Sequence, residues 1–203
     1  MADLYYTIAK EGSGVFKEKM SKFLSFALYV DTAEEAKAVV KRFQNEYHDS
    51  RHVCWAYMLG PDRKEWQLND NGEPSGTAGK PILGQINSFG LTNVIVVVVR
   101  YFGGIKLGTP GLIAAYREAA RLALEDAGKQ EVHKMETIAV SFPYVSSNDV
   151  MKVVKSEDIE VLSRNFDNAC EMTLRFREDD ASRIKGRLQS IPGLSHIPDN
   201  TEE

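Results

Sequence analysis

The chain has 203 residues, of which 43% are hydrophobic and 27% charged, the composition of a folded globular protein with room for two modest domains. The net charge is −4, which argues against bulk attraction to nucleic acid; residues 1–136 carry 17 basic and 17 acidic side chains, and residues 137–203 carry 8 and 12. The longest apolar run, Val94–Val99, is far too short for a membrane span, no basic-then-apolar leader opens the sequence, and two cysteines make no disulfide framework, so a reduced cytoplasmic protein is expected.

Tyr5–Ile8 reads as a short edge strand and Glu11–Lys22 as a solvated, glycine-containing loop exposing Lys17, Lys19 and Lys22. Phe23–Val30 follows as a strand. Thr32-x-x-Glu35 is a capping box, and Ala36, Val39, Val40, Phe43 and Tyr47 recur at helical spacing behind it. In the next strand His52 and Cys54 are two apart and share a face. A thiol beside an imidazole is a candidate for nucleophilic chemistry, although cysteine is also a common core residue. Gly60-Pro61-Asp62 is a turn, and Glu65–Leu68 pairs back as a hairpin. Asp70 and Glu73 then form a carboxylate pair suited either to acid/base work or to capping turns and meeting cations.

Two glycine-rich loops, Gly72–Gly79 and Gly103–Gly111, flank Val94–Val99, whose unbroken β-branched sequence predicts a central strand buried on both faces. Each loop feeds a helix. Pro81 suits the first position of one, which stops at Gly90; Thr109 and Pro110 suit the cap and first position of the other. Helix starts hold anions through free N–H groups and the helix dipole, and Lys80, Arg100, Gly103, Gly104, Lys106 and Thr109 are therefore the candidate anion or nucleic-acid site. The same glycines also suit ordinary tight turns. Neither loop is a nucleotide motif: Gly79-Lys80 is followed by Pro81 with Pro74 in place of the first P-loop glycine, and Gly103-Gly104 lacks the dinucleotide spacing. No metal ligand set and no cofactor motif is evident.

The helix from Pro110 to Ala127 lays Leu112, Ala115, Tyr116, Ala119, Ala123 and Ala127 along one face, leaving Arg117 and Arg121 outside near Glu118 and Glu125; Gly128 ends it. The polar segment Lys129–Glu136 marks a domain boundary, giving domains 1–134 and 135–203. The second reads as strand Thr137–Pro143, helix Ser146–Ser156, strands Glu160–Phe166 and Ala169–Arg177 joined at Asp167-Asn168, helix Asp179–Ser190 and strand Leu194–Ile197, a ferredoxin-like β-α-β-β-α-β order. Asp199–Glu203 is read as a disordered tail.

Asn69–Pro81 resembles the Asp-Asp-Gly-Glu-Pro-x-Gly-Thr-Ala-Gly-x-Pro element of the YigZ/IMPACT family, and Val97–Gly108 resembles its Arg-Tyr-Phe-Gly-Gly-x-x-Leu-Gly signature. Asn71 stands where the family usually has Asp, Pro110 replaces a glycine, and Ala114 replaces an arginine. The resemblance implies an α+β fold. Its N-terminal domain would be like the second domain of a small-subunit ribosomal protein, and its C-terminal ferredoxin-like domain similar to those of elongation factor G. It also implies a non-enzymatic role in translation or its regulation, with RNA or DNA, the ribosome or a translation-related protein as partner and no membrane attachment. The competing expectation is an enzyme acting on a nucleotide or small metabolite and holding phosphate at the glycine loops. A third reading is an interaction surface around Tyr101-Phe102, with at least one of the two rings in the core.

Overall fold

The structure, a computed structural model, describes residues 4–166 and 170–197. The chain divides into two compact units; residues 5–132 form one, and the segment from His133 belongs to the other.

The first unit takes in all of β1 (Leu4–Ile8) but Leu4, and then the hairpin of β2 (Gly12–Glu18) and β3 (Ser21–Tyr29). The expected loop at Glu11–Lys22 is thus a strand and its turn. Lys19 and Met20 both have positive φ, 44° and 67°, the geometry that a two-residue hairpin turn requires. Gly12 and Gly14 provide close approach to a helix rather than looseness. A Cβ on Gly12 would stand 2.2 Å from the Ala123 carbonyl oxygen, and one on Gly14 would stand 2.6 Å from the Leu122 Cβ.

Helix α1 (Ala33–Glu46) starts as its capping box predicts, with Thr32 Oγ1 accepting from the Glu35 N–H at 3.1 Å. Strands β4 (His52–Leu59) and β5 (Glu65–Asn69) form the next hairpin, followed by α2 (Gly79–Phe89), which stops at Gly90 in the left-handed conformation. Strand β6 (Val94–Tyr101) leads to α3 (Gly108–Ala127), and β7 (Lys129–His133) pairs with β1. Two boundaries differ from expectation. Gly79 rather than Pro81 opens α2, and Leu107 rather than Thr109 is the cap of α3. Within the polar segment from Lys129, β7 is a strand paired with β1, and the division of the chain into two units falls after Val132.

The five-stranded sheet has the order β2-β3-β6-β4-β5 and is antiparallel throughout. The β6 run serves two cores, as its sequence predicts. Val94, Val96 and Val98 pack with α2 and α3, while Ile95, Val97 and Val99 pack with α1. All six are fully buried, and each contributes about 1.5–3 kcal/mol relative to an exposed side chain. A charge at Val97 would break the layer.

The second unit contains β8 (Met135–Phe142), a 3-10 turn, α4 (Ser147–Ser156), β9 (Glu160–Asn165), β10 (Cys170–Arg177), a second 3-10 turn at Glu178–Asp180, α5 (Ala181–Gln189) and β11 (Ser195–Ile197). Its antiparallel sheet runs β11-β8-β10-β9, the split β-α-β order that the sequence predicts. Met172, Leu174 and Phe176 alternate inward against Val150, Val154, Ile184 and Leu188. The Asp167-Asn168 turn and the Asp199–Glu203 tail lie outside the described residues. None of the described helices is long and apolar enough to cross a membrane.

Candidate functional site: a polar cleft at the start of α3

The two glycine loops have different fates. At the first, the Asp70 carboxylate reaches the start of α2. Its Oδ1 accepts from Ala78 N–H at 3.0 Å and Gly79 N–H at 2.8 Å, and its Oδ2 accepts from Gly76 N–H at 2.8 Å. Burial alone would raise its pKa; the backbone N–H groups, helped by Lys80, outweigh it and hold the carboxyl below its ordinary value. The anion at this helix start is therefore the protein's own. Lys80 packs over Gly76 and lines a shallow depression that also includes Arg117.

The second loop opens on a separate cleft of about 400 Å³. Arg51, His52, Glu73, Arg100, Lys106 and Thr109 line it, with Phe102 also at its wall. Helix α3 begins here with no side-chain cap and no acidic residue in its first turn, which leaves N–H groups without intrahelical partners. Gly104 takes a φ of 89° with open space beside it, so the loop turns there. Gly103 has a different task. A Cβ on it would stand 2.1 Å from the Met20 carbonyl carbon, so only glycine lets the loop lie against the β2–β3 turn.

At the floor of the cleft Arg100 Nη1 donates to Glu73 Oε1 at 2.6 Å, and its Nη2 donates to Ser21 Oγ at 3.3 Å. Both charged side chains are nearly buried, at 5% and 3% exposure. Tyr116 Oη also donates to Glu73 Oε1, at 2.8 Å, and the guanidinium lies 5.5 Å from the Phe23 ring centre. Arg100 thus has its charge paired with Glu73, while its Nε is buried without a hydrogen-bond partner. Removing one partner of such a pair costs about 3–5 kcal/mol, so its substitution would probe folding before ligand binding.

His52 and Cys54 share a face, as the strand spacing predicts, but they face different surroundings. His52 Nδ1 lies 2.8 Å from the Asn71 carbonyl oxygen, which only accepts, so Nδ1 carries a proton. Its Nε2 is 3.8 Å from Glu73 Oε1. Cys54 is fully buried, with Sγ 3.0 Å from the Asp70 carbonyl oxygen and 3.3 Å from Tyr116 Oη. Burial pushes its pKa well up, with Glu73 and Asp70 adding to the effect against Tyr116 and Arg100. This is the setting of a core thiol, one of the two roles that the sequence leaves open for Cys54. Burial also raises the pKa of Tyr116, which stays a neutral donor.

The structure brings His52, Glu73, Arg100, Lys106 and Thr109 to one cleft and keeps Asp70, Lys80 and Cys54 out of its lining. Arg51 is the member that the motifs miss. The only sequence signal for it is register: His52 on β4 pairs with Arg100 on β6, which puts the preceding residue at the same strand end. Of the two aromatics, Tyr101 packs toward α1, with its Oη donating to Asp49 at 2.9 Å, whereas Phe102 is 41% exposed. Among the described residues no cluster of three His, Cys, Asp or Glu side chains is placed to hold a metal ion.

These features define a two-domain α+β protein with antiparallel sheets and a polar cleft in its first unit. The family model for the Impact N-terminal domain matches residues 19–124, and the chain belongs to the IMPACT family. An IMPACT family member from Haemophilus influenzae is 33% identical over 178 residues, 86% of each chain. YigZ of Escherichia coli is 33% identical over 150 residues, covering 73% of this chain and 74% of its own. YvyE of Bacillus subtilis is 35% identical over 144 residues, 71% of this chain and 66% of its own. The crystal structure of a hypothetical protein, 28% identical, superposes with a TM-score of 0.77 and full coverage of both chains.

Proposed function

We propose that this protein is a non-enzymatic, cytoplasmic binding protein linked to translation, and that it holds the phosphate backbone of RNA at the start of α3. One observation carries the reading: the α3 start is uncapped and faces a cleft with Arg51 and Lys106 exposed at its wall, whereas the α2 start is already neutralised by Asp70. Likeness of the first unit to a ribosomal-protein domain, and of the second to domains of elongation factor G, belongs to the same reading as an expectation from the family.

The test is fluorescence-polarisation binding of short RNA across a salt series, for wild type and for the Arg51→Ala/Lys106→Ala variant. Wild type should bind with an affinity that falls as salt rises, and the variant should lose about one unit of log-log salt slope per phosphate contact removed. Binding that ignores salt would sink the phosphate contact. No RNA binding at all would move the function to a protein partner seated on the exposed Phe102 and Ile105.

A second reading, an enzyme acting on a phosphorylated metabolite, draws on His52 and Glu73 at the same cleft. Incubation with ATP and Mg²⁺ that gives neither turnover nor thermal protection would remove it.

A further inference from the structure

The cations and N–H groups around the start of α3 are all hydrogen-bond donors, and a phosphate satisfies them. The facing wall offers acceptors instead. Glu73 Oε1 is engaged by Arg100 and Tyr116, whereas Oε2 makes no hydrogen bond among the described residues; the side chain is 3% exposed. His52 donates its Nδ1 proton to the Asn71 carbonyl, which leaves Nε2 as the ring nitrogen without a hydrogen bond among the described residues. That atom is too far from Glu73, at 3.8 Å, to form a hydrogen bond with it. A ligand made only of acceptors would cover this carboxylate oxygen without giving it a donor. The cleft therefore fits a group that carries a phosphate at one end and a hydroxyl donor close by. Its volume, about 400 Å³, lies in the range of small-ligand sites and suffices for one nucleotide unit. Phe102, 41% exposed at the same cleft, offers a face on which a base can stack.

We infer that the cleft reads the sugar of its ligand: Glu73, with His52 beside it, accepts a hydrogen bond from a ribose 2′-hydroxyl while Arg51, Lys106 and the start of α3 hold the neighbouring phosphate. The inference rests on the RNA reading above and adds discrimination against DNA. Glu73 is held ready by Arg100 and Tyr116, so no rearrangement is needed to present the acceptor.

The experiment compares three labelled oligonucleotides of one single-stranded sequence against the full wild-type chain: ribose, 2′-deoxyribose and 2′-O-methylribose. Ribose should bind about 10- to 100-fold more tightly than either of the others, the ratio expected for a hydrogen bond to a charged group. Equal affinities for all three would overturn the sugar contact and leave the phosphate reading standing. Binding of the 2′-O-methyl strand as tight as ribose, with deoxyribose weaker, would also overturn it, because strand shape and not a hydroxyl donor would then be read. No binding by any strand would overturn both readings. Glu73→Gln should reduce the preference for ribose while keeping the salt slope. Because the comparison among strands uses wild-type protein, it stands even if that variant fails to fold.

Discussion

Three backbone N–H groups converge on the Asp70 carboxylate, and this decides what the first glycine loop can do. The side chain acts as a cap delivered from nine residues before Gly79, since the local cap position is Ala78, which has no acceptor. The folded-state pKa is held below the unfolded value of about 3.9. The contribution is therefore complete above that value and is lost as pH falls through the folded-state pKa. Asp70→Asn should destabilise the protein by about 1–3 kcal/mol at neutral pH, measured by urea unfolding. It should also flatten the acid side of the stability profile below about pH 4. An unchanged midpoint would mean that the three bonds add nothing beyond what solvent supplies. The neighbouring Cys54 leads to a kinetic prediction. With its thiol fully buried and its pKa raised, iodoacetamide should label it in urea and leave it untouched in the native state at neutral pH. Native labelling at the rate of a free thiol would show that the α2–α3 side of the sheet opens.

Elements with a strong internal period were legible in the sequence. Helix α1 announced itself by a capping box and a stripe of apolar residues, α3 by its small-residue face, and β6 by its unbroken β-branched run. Strands β2 and β7 were not legible, because what makes them strands is far away in the chain. Gly12 and Gly14 look like loop residues until α3 is laid across them, and the turn at Lys19-Met20 lacks the Asn-Gly signature of its type. Lys129–His133 is polar and gains its pairing only from β1. The site divides the same way. Lys106, Arg100 and Thr109 are local to one motif, whereas Arg51, His52 and Glu73 join them only through the β4–β6 register and the fold of the first loop. The element-level prediction concerns the β2–α3 contact. Gly12→Ala would push a methyl into the Ala123 carbonyl and the Ala127 N–H, at 2.2 and 2.4 Å, so the helix must shift. A loss of about 1–3 kcal/mol, or more, is expected by thermal unfolding, the range for overpacking. Gly84→Ala, on the exposed side of α2 with nothing within 4 Å, should instead be neutral or mildly stabilising. Equal effects at the two positions would mean that the β2–α3 contact does not require glycine.

The two units have separate cores. Every buried member of the two clusters around the five-stranded sheet lies between Ile8 and Ala127, and every buried member of the third lies between Val140 and Ile191. Among the described residues no buried apolar side chain belongs to both sets of clusters, so each unit can satisfy its own hydrophobic term. Charge is divided along similar lines: residues 1–136 are neutral overall, and residues 137–203 carry the whole excess of −4. We propose a domain boundary between residues 134 and 135, two residues past the division at Val132, and expect a fragment ending at 134 to fold with a cooperative transition of its own. Since the cleft, Arg51 and Lys106 all lie in that fragment, RNA binding should go with it. Its salt slope should match that of the full chain, because the slope counts phosphate contacts and those contacts are retained. Its affinity at low salt should be equal or higher, because the fragment sheds the net charge of −4 carried by residues 137–203, and any difference should fade as salt screens it. A folded fragment that binds RNA with a smaller slope would show that the second unit supplies phosphate contacts, and the cleft at the start of α3 would then be only part of the site.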